Sequence, residues 1–302
     1  MRRVALVTYQ QLPELALDDA LLIEPLLRRD VAAKPAVWDD STVNWKTFDA
    51  VILRSTWDYH LRTADFVAWL AELEGRGVKV YNPVDIIRWN MDKIYQRTLH
   101  AHGIHTLPTL WIEQGSTADL KTLLEDRNWE QVVVKPRISA SAHKTWILRR
   151  SEAAAHQARF AEMAAVSGVM VQKFAPEISD GEWSFVFFGD IYSHAVLKRP
   201  APDSMFVQQE HGGTVHIQVP DPALISQAAH ILRVTRRILK ADLLYARVDA
   251  LVTDNLLHLM ELELIEPELF LGKGQSEVVE RFADAIANVL EPAELPGTAG
   301  VG

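Results

Sequence analysis

Over residues 1–88, apolar runs no longer than a buried strand alternate with stretches whose apolar residues recur at helical spacing. Val4–Thr8, Ala36–Trp38, Phe48–Arg54 and Val78–Tyr81 read as strands. Pro13 opens a helical pattern in which Leu15, Leu22 and Leu26 share a face, and Ala64–Glu74 reads as a helix ending near Gly75 and Gly77. Strands separated by helices imply a parallel sheet with helices on both faces. Functional loops then belong at the carboxyl ends of the strands.

Beyond residue 88 the pattern changes. Asn90–Ala101 reads as one helix stopping at Gly103. From about Leu107 the order is strand, helix (Thr117–Glu125), strand (Gln131–Lys135), loop, strand (Lys144–Leu148), helix (Glu152–Val166), strand (Val169–Lys173). Two α/β pairs in one small sheet make a lid-sized unit. Then come Glu182–Phe188, a turn at Gly189-Asp190, Ile191–Lys198 and a long helix over Leu224–Leu239. Ala246–Val252 and Leu256–Leu264 form a hairpin across Thr253-Asp254-Asn255, and Gln275–Leu290 closes as a helix. The Pro-, Gly- and Ala-rich stretch 291–302 reads as a loose tail.

Charge narrows the function. With 31 Lys+Arg against 40 Asp+Glu, the formal charge of −9 disfavours nucleic acid as a partner. It suits a protein that lets divalent cations stand opposite phosphate. The absence of cysteine excludes disulfides, thiolate metal sites and a thiol nucleophile. The apolar run at the N-terminus ends at Gln10, Gln11 and Pro13, too short for a signal-peptide core or a membrane span, so the reading is a cytoplasmic protein without a membrane partner.

Three groups of residues carry chemistry. Asp249 lies on one strand of the last hairpin, with Glu261 and Glu263 two apart on the other, so the three carboxylates converge on one face. A lone Glu-x-Glu is ordinarily a solvated strand face. Here apolar neighbours and the paired Asp249 favour all-oxygen ligation of Mg²⁺, with Mn²⁺ as an alternative. Lys135 emerges where the Val132-Val133-Val134 strand ends, and Lys93 lies in the first turn of the Asn90 helix; each is a surface lysine or a point charge for phosphate. The small, hydroxyl-rich loop after Lys135, with Ser139 and Ser141, is a surface loop or a backbone cover for phosphates. No P-loop and no G-x-G-x-x-G follows the first strand. His100, His102 and His105 lack acidic company and read as exposed, and nine scattered Trp read as packing.

In order along the chain, these segments resemble the ATP-grasp superfamily, in its glutathione-synthetase-like branch. Asn82-Pro83 through Arg88, Asn90, Asp92 and Lys93 is similar to the approach to that branch's first nucleotide lysine, and Val133-Val134-Lys135-Pro136 to its second. Val171 to Ile178 resembles the hinge that holds adenine, and Asp180-Gly181-Glu182 the segment after it. Lys198 to Pro202 and Gly212-Gly213 resemble the substrate side, while Asp249, Glu261-Leu262-Glu263 and Pro267 fall where the family's D…E-x-N…P stands.

The resemblance implies a fold mixing α/β and α+β. Residues 1–88 form a pre-ATP-grasp domain, 89–172 a lid subdomain with the helix leading into it, and 173–290 a larger subdomain with the metal site. It implies ATP held by Lys93, Lys135, Ser139, Ser141, Gln172, Lys173, Phe174 and Glu177, with Mg²⁺ on Asp249, Glu261 and Glu263. Arg247, Lys198 and Arg199 would serve the γ-phosphoryl and the acyl phosphate. Arg54, with Ser55 and Thr56, would anchor a substrate carboxylate, or Arg54 would form a surface pair with Asp58. The implied activity is an ATP-dependent ligase that activates the carboxylate of a small amino-acid-like molecule for capture by an amine. The alternatives are a nucleotide-binding module without turnover or a small-molecule kinase, and a homodimer is compatible with each.

This chain departs from the family pattern in three places: the glycine-free loop Ser139-Ala140-Ser141-Ala142, the stretch Phe206-Val207-Gln208-Gln209 where the family has F-R-x-N, and Glu263 where it has Asn. They point away from glutathione synthesis toward ligases of small antibiotic pathways. The N-terminal domain is similar to that of cycloserine-forming ATP-grasp enzymes.

Overall fold

The computed structural model describes residues 1–140, 142–202, 207, 212–273 and 276–291. Strands β1 (Arg2–Thr8), β2 (Val31–Val37), β3 (Ala50–Ser55) and β4 (Val80–Tyr81) form a parallel sheet in the order β2-β1-β3-β4. The continuous apolar runs follow from burial on both faces. Val4 and Leu6 enter one core and Ala5 and Val7 another, while Ala50 and Ile52 part from Val51 and Leu53 in the same way.

The segment after β1 is not the single helix expected. Helices α1 (Leu17–Ala20) and α2 (Ile23–Leu27) are short and separate, and Leu15 has a φ of +76°. Pro25 offers no N–H to the Leu21 carbonyl, and its ring clashes there, so a continuous helix cannot pass. Leu15, Leu22 and Leu26 still meet in one core. Helix α3 (Thr63–Gly75) covers the opposite face of the sheet with Phe66, Trp69, Leu70 and Leu73, beside Trp38 and Trp45.

The expected Asn90–Ala101 helix is two helices, α4 (Val84–Met91) and α5 (Tyr95–Ala101). The break has a tertiary cause. The Lys93 amide donates to the carbonyl of Arg137 (3.0 Å), and Asp92 accepts from the Ile94 amide (2.9 Å) and from Arg137 Nε (2.9 Å). Lys93 therefore sits between two helices, not in a first turn.

Strands β5 (Thr109–Ile112), β6 (Gln131–Pro136), β7 (Trp146–Arg149) and β8 (Val169–Lys173) form an antiparallel sheet in the order β5-β8-β6-β7, packed with α6 (Leu120–Arg127) and α7 (Ala153–Val166). A third, antiparallel sheet runs β11-β10-β9-β12-β13, from β9 (Glu182–Phe188), β10 (Ile191–Arg199), β11 (Thr214–Ile217), β12 (Tyr245–Thr253) and β13 (Leu256–Glu263). On β9, Phe185 and Phe187 pack in the core of α8 (Pro222–Leu239), while Val186 and Phe188 join Phe282 and Ile286 of α9 (Ser276–Val289) in the core shared with the first sheet. The β12–β13 turn sits at Asp254 and Asn255, both with positive φ (52° and 62°), the backbone that tight hairpins require.

Strand β13 ends the sheet, and side chains complete its outer edge. Asn90 donates to the Leu262 carbonyl (2.8 Å) and accepts from the Leu264 amide (2.9 Å). The Tyr95 hydroxyl bonds both the amide and the carbonyl of Leu262, and Gln96 donates to the Met260 carbonyl. Helices α4 and α5 thus fix the strand that carries Glu261 and Glu263. Among the described residues, no helix is long and apolar enough to cross a membrane.

Candidate active site

A cleft of about 350 Å³ lies between the four-stranded antiparallel sheet and the five-stranded sheet, and the loop after β3 contributes Trp57 and Tyr59 to its wall. One part is apolar, where Leu107, Phe174, Ala175, Ile178, Val207, Leu251 and Met260 cluster. The other is densely charged. Among the described residues, its lining holds five Lys or Arg and six Asp or Glu.

Sheet register builds the charged part. Asp249 lies opposite both Ser184 and Glu261, Arg247 lies opposite Glu263, and Lys198 lies opposite Glu182. Directly opposed residues share a face, so these side chains project together. On β13 the shared face depends on a bulge between the pairs Ala250–Leu259 and Asp249–Glu261, which leaves Met260 as the extra residue. Leu257 and Leu259 face the core before it and Leu262 and Leu264 after it, which frees Glu261 and Glu263 for the cleft.

Asp249 is buried and fully engaged. It accepts from Ser184 Oγ (2.6 Å), from Arg247 Nε and Nη2 (3.0 and 2.9 Å) and from Lys198 Nζ (3.3 Å). Burial alone would raise its pKa; Arg247 and Lys198 overcome that and hold it at about 2. Arg247 also pairs with Glu263 and donates to the Glu268 carbonyl (2.9 Å). Burial pushes Glu263 up to about 8 against the pull of Arg247, with Asp249 and Glu261 adding repulsion. Lys198 pairs with Glu182, whose own pKa burial raises. Lys93 is buried, pairs with Glu261 (3.0 Å) and donates to the Ser139 carbonyl. Lys135 lines the same cleft, and burial lowers its pKa against the opposing charge of Glu261.

The structure thus gathers Lys93, Lys135, Ser139, Gln172, Lys173, Phe174, Lys198, Arg247, Asp249, Glu261 and Glu263 around one cleft. Ser141 lies outside the described residues, as do Phe206, Gln208, Gln209 and the tail from residue 292. Several sequence expectations need correction. Arg54 is wholly buried and spent on the fold: its Nε meets Asp19 (2.9 Å) and its Nη2 the Pro267 carbonyl (2.7 Å), while Ser55 Oγ donates to Asp19 (2.6 Å). With Thr56 also buried, none of the three lines the cleft, and Asp58 accepts from Trp38 Nε1 instead of pairing with Arg54. Arg199 follows Lys198 on β10, so strand alternation turns it away; it is exposed and donates to the Asp180 carbonyl. Glu177 does not line the cleft, whereas its neighbour Ile178 does. The amides of Lys173 and Phe174 already donate to Pro108 and Gln131.

The metal expectation changes as well. The all-oxygen donor set suits a hard divalent ion, and the excess of acid in the lining gives such an ion a place. Among the described residues, however, no three acidic or histidine side chains converge to hold a metal. Asp249, Glu261 and Glu263 are each paired with a protein cation instead. Sequence reasoning gives no role to Ser184, Trp57 or Tyr59, marks Glu266 only as one of the acids crowding the segment after Asp254, and marks Glu182 only as part of a motif. A signal existed for two of them: Glu182 and Ser184, two apart in an apolar strand, mark one polar face.

The chain has the fold of the ATP-grasp ligases. A D-cycloserine synthetase crystal structure superposes with a TM-score of 0.85 at 28% identity, covering 96% of this chain and 100% of that one. A D-alanine–D-alanine ligase from Bacillus anthracis, complexed with ATP, superposes at 0.70 with 16% identity over 96% and 97% of the two chains, a likeness of fold. Residues 4–82 match the N-terminal domain of the D-cycloserine synthetase DcsG. The cycloserine biosynthesis protein DcsG of Streptomyces lavendulae is 30% identical over 307 residues, covering 96% of this chain and 99% of that protein. The chain belongs to the DcsG family.

Proposed function

We propose that this enzyme uses ATP to activate the carboxylate of a small amino-acid-like substrate as an acyl phosphate, which an amine or similar nucleophile then captures. The observation that carries the reading is the convergence of Lys93, Lys135, Lys198 and Arg247 on one cleft with an apolar recess. Adenine fits the recess formed by Phe174, Ile178, Leu251 and Met260. Lys93 and Lys135 would hold the α- and β-phosphates, and Lys198 and Arg247 the γ-phosphoryl. A substrate carboxylate oxygen attacks Pγ and the bond to the β,γ-bridging oxygen breaks, releasing ADP. The nucleophile then attacks the acyl carbon, and phosphate leaves with that carboxylate oxygen. Positioning and charge neutralisation suffice, so no protein nucleophile is required.

Mg²⁺ would be held chiefly by Glu261 and Glu263, which would exchange Lys93 and Arg247 for the metal, and would supply charge neutralisation along the phosphates. Asp249, held by Ser184, Lys198 and Arg247, would support them from beneath. Similarity to a D-cycloserine synthetase supports the amino-acid-like substrate class. Residues 1–88, 89–172 and 173–290 would be the substrate-side, lid and metal-bearing units.

The test is ADP release from ATP and Mg²⁺ across a panel of D- and L-amino acids and amines. Amino-acid-dependent release is expected, falling about a hundredfold in Glu261→Gln with the fold intact. ATP binding without any such release would contradict ligase turnover, and a stable phosphorylated product would indicate a kinase.

A further inference from the structure

We infer that Glu266, which lines the cleft with Trp57 and Tyr59, receives the ammonium group of the substrate; this deepens the ligase reading and rests on it. Four of the cleft's five other acids already have cationic partners: Glu182 and Asp249 take Lys198, Asp249 and Glu263 take Arg247, and Glu261 takes Lys93, while the fifth, Glu268, is exposed. Glu266 lines the same cleft, and among the described residues its carboxylate has no ion pair and no side-chain partner, only a hydrogen bond to its own backbone and the field of Lys93, which already pairs with Glu261. A carboxylate in a cleft without an ion pair of its own is costly, so it marks a place where a ligand supplies one. Two aromatic residues, Trp57 and Tyr59, line the same cleft. The Trp57 indole donates to the Glu266 carbonyl (3.2 Å), and the buried Tyr59 lies within the field of Glu266. Aromatic side chains beside a carboxylate suit an ammonium ion.

Position agrees with chemistry. Glu266 lies within the fields of Glu263, Lys93 and Glu261, beside the phosphate-binding cations. In an α-amino acid the ammonium and carboxyl groups share one carbon. A carboxyl presented for phosphorylation therefore brings its ammonium to this wall. Glu266 is a positioning residue for the substrate, not a participant in bond making.

The test is calorimetry on wild-type enzyme and Glu266→Gln, each saturated with ADP and Mg²⁺ so that nothing turns over. The probes are D- and L-alanine and D- and L-serine against D- and L-lactate and D- and L-glycerate, in which hydroxyl replaces ammonium. An amino acid should bind the wild type at least about tenfold tighter than its hydroxy analogue, and E266Q should lose that preference. E266Q should also melt no lower than wild type, since the lost charge had no partner. Equal binding of amino and hydroxy acids, or no amino acid bound by an enzyme that holds ADP, would overturn the subsite. So would a preference retained in E266Q, or a large drop in its melting temperature. Failure of wild type to hold ADP would instead overturn the ligase reading, and this inference with it.

Discussion

Arg54 shows how far a residue's neighbours decide its role. An arginine closing an apolar strand looks, in sequence, like a group aimed into a cleft. Its partner Asp19 lies 35 positions away on α1, and no local pattern announces that pairing. Replacing Arg54 with Met should cost about 3 to 5 kcal/mol of stability, because Asp19 would be left buried without its cation. Urea denaturation measures it. Unchanged stability with weakened substrate binding would restore the anchor role. Lys135 was legible for the opposite reason: a lysine at the end of an apolar run has little freedom to lie elsewhere, and it lines the cleft, whereas Lys93, between two helices, was marked only by the family resemblance.

At the scale of elements, strands were legible where burial on both faces makes their sequence continuously apolar, as in β1 and β3. The bulge on β13 is also written in the chain, as the shift of apolar phase from Leu257 and Leu259 to Leu262 and Leu264. The break between α4 and α5 is not, because its cause is the carbonyl of Arg137, far along the sequence. Nor could sequence show that Asn90 pins the edge of β13. Asn90→Leu should strand the Leu264 amide and leave the Leu262 carbonyl to Tyr95 alone, costing about 1 to 3 kcal/mol. Hydrogen exchange at Leu264 should quicken and the KM for ATP should rise. Unchanged protection at Leu264 would show that α4 does not hold the strand.

Across the whole molecule, the formal charge of −9 lies mostly outside the cleft, where six carboxylates and five cations nearly balance among the described residues. Acid sensitivity has a different origin. Burial lowers the pKa of His194 to about 4, and its Nε2 lies 2.9 Å from the Leu269 carbonyl. His60 is lowered in the same direction by burial and by the nearby His143. A depressed histidine favours the folded state only while both states are neutral. Stability should therefore fall as pH drops below about 6.5 and level off near 4, by up to about 3 kcal/mol for His194. His194→Gln should flatten that acid limb in denaturation curves, and an unchanged slope would contradict the assignment.

The most direct measurement of the proposed chemistry follows oxygen. An amino acid that elicits ADP release is labelled with ¹⁸O in its carboxylate, and the phosphate set free during product formation is analysed by mass. Attack of the carboxylate on the γ-phosphoryl predicts one ¹⁸O in each phosphate released. Product formed with unlabelled phosphate would contradict an acyl phosphate and, with it, the role assigned to this cleft.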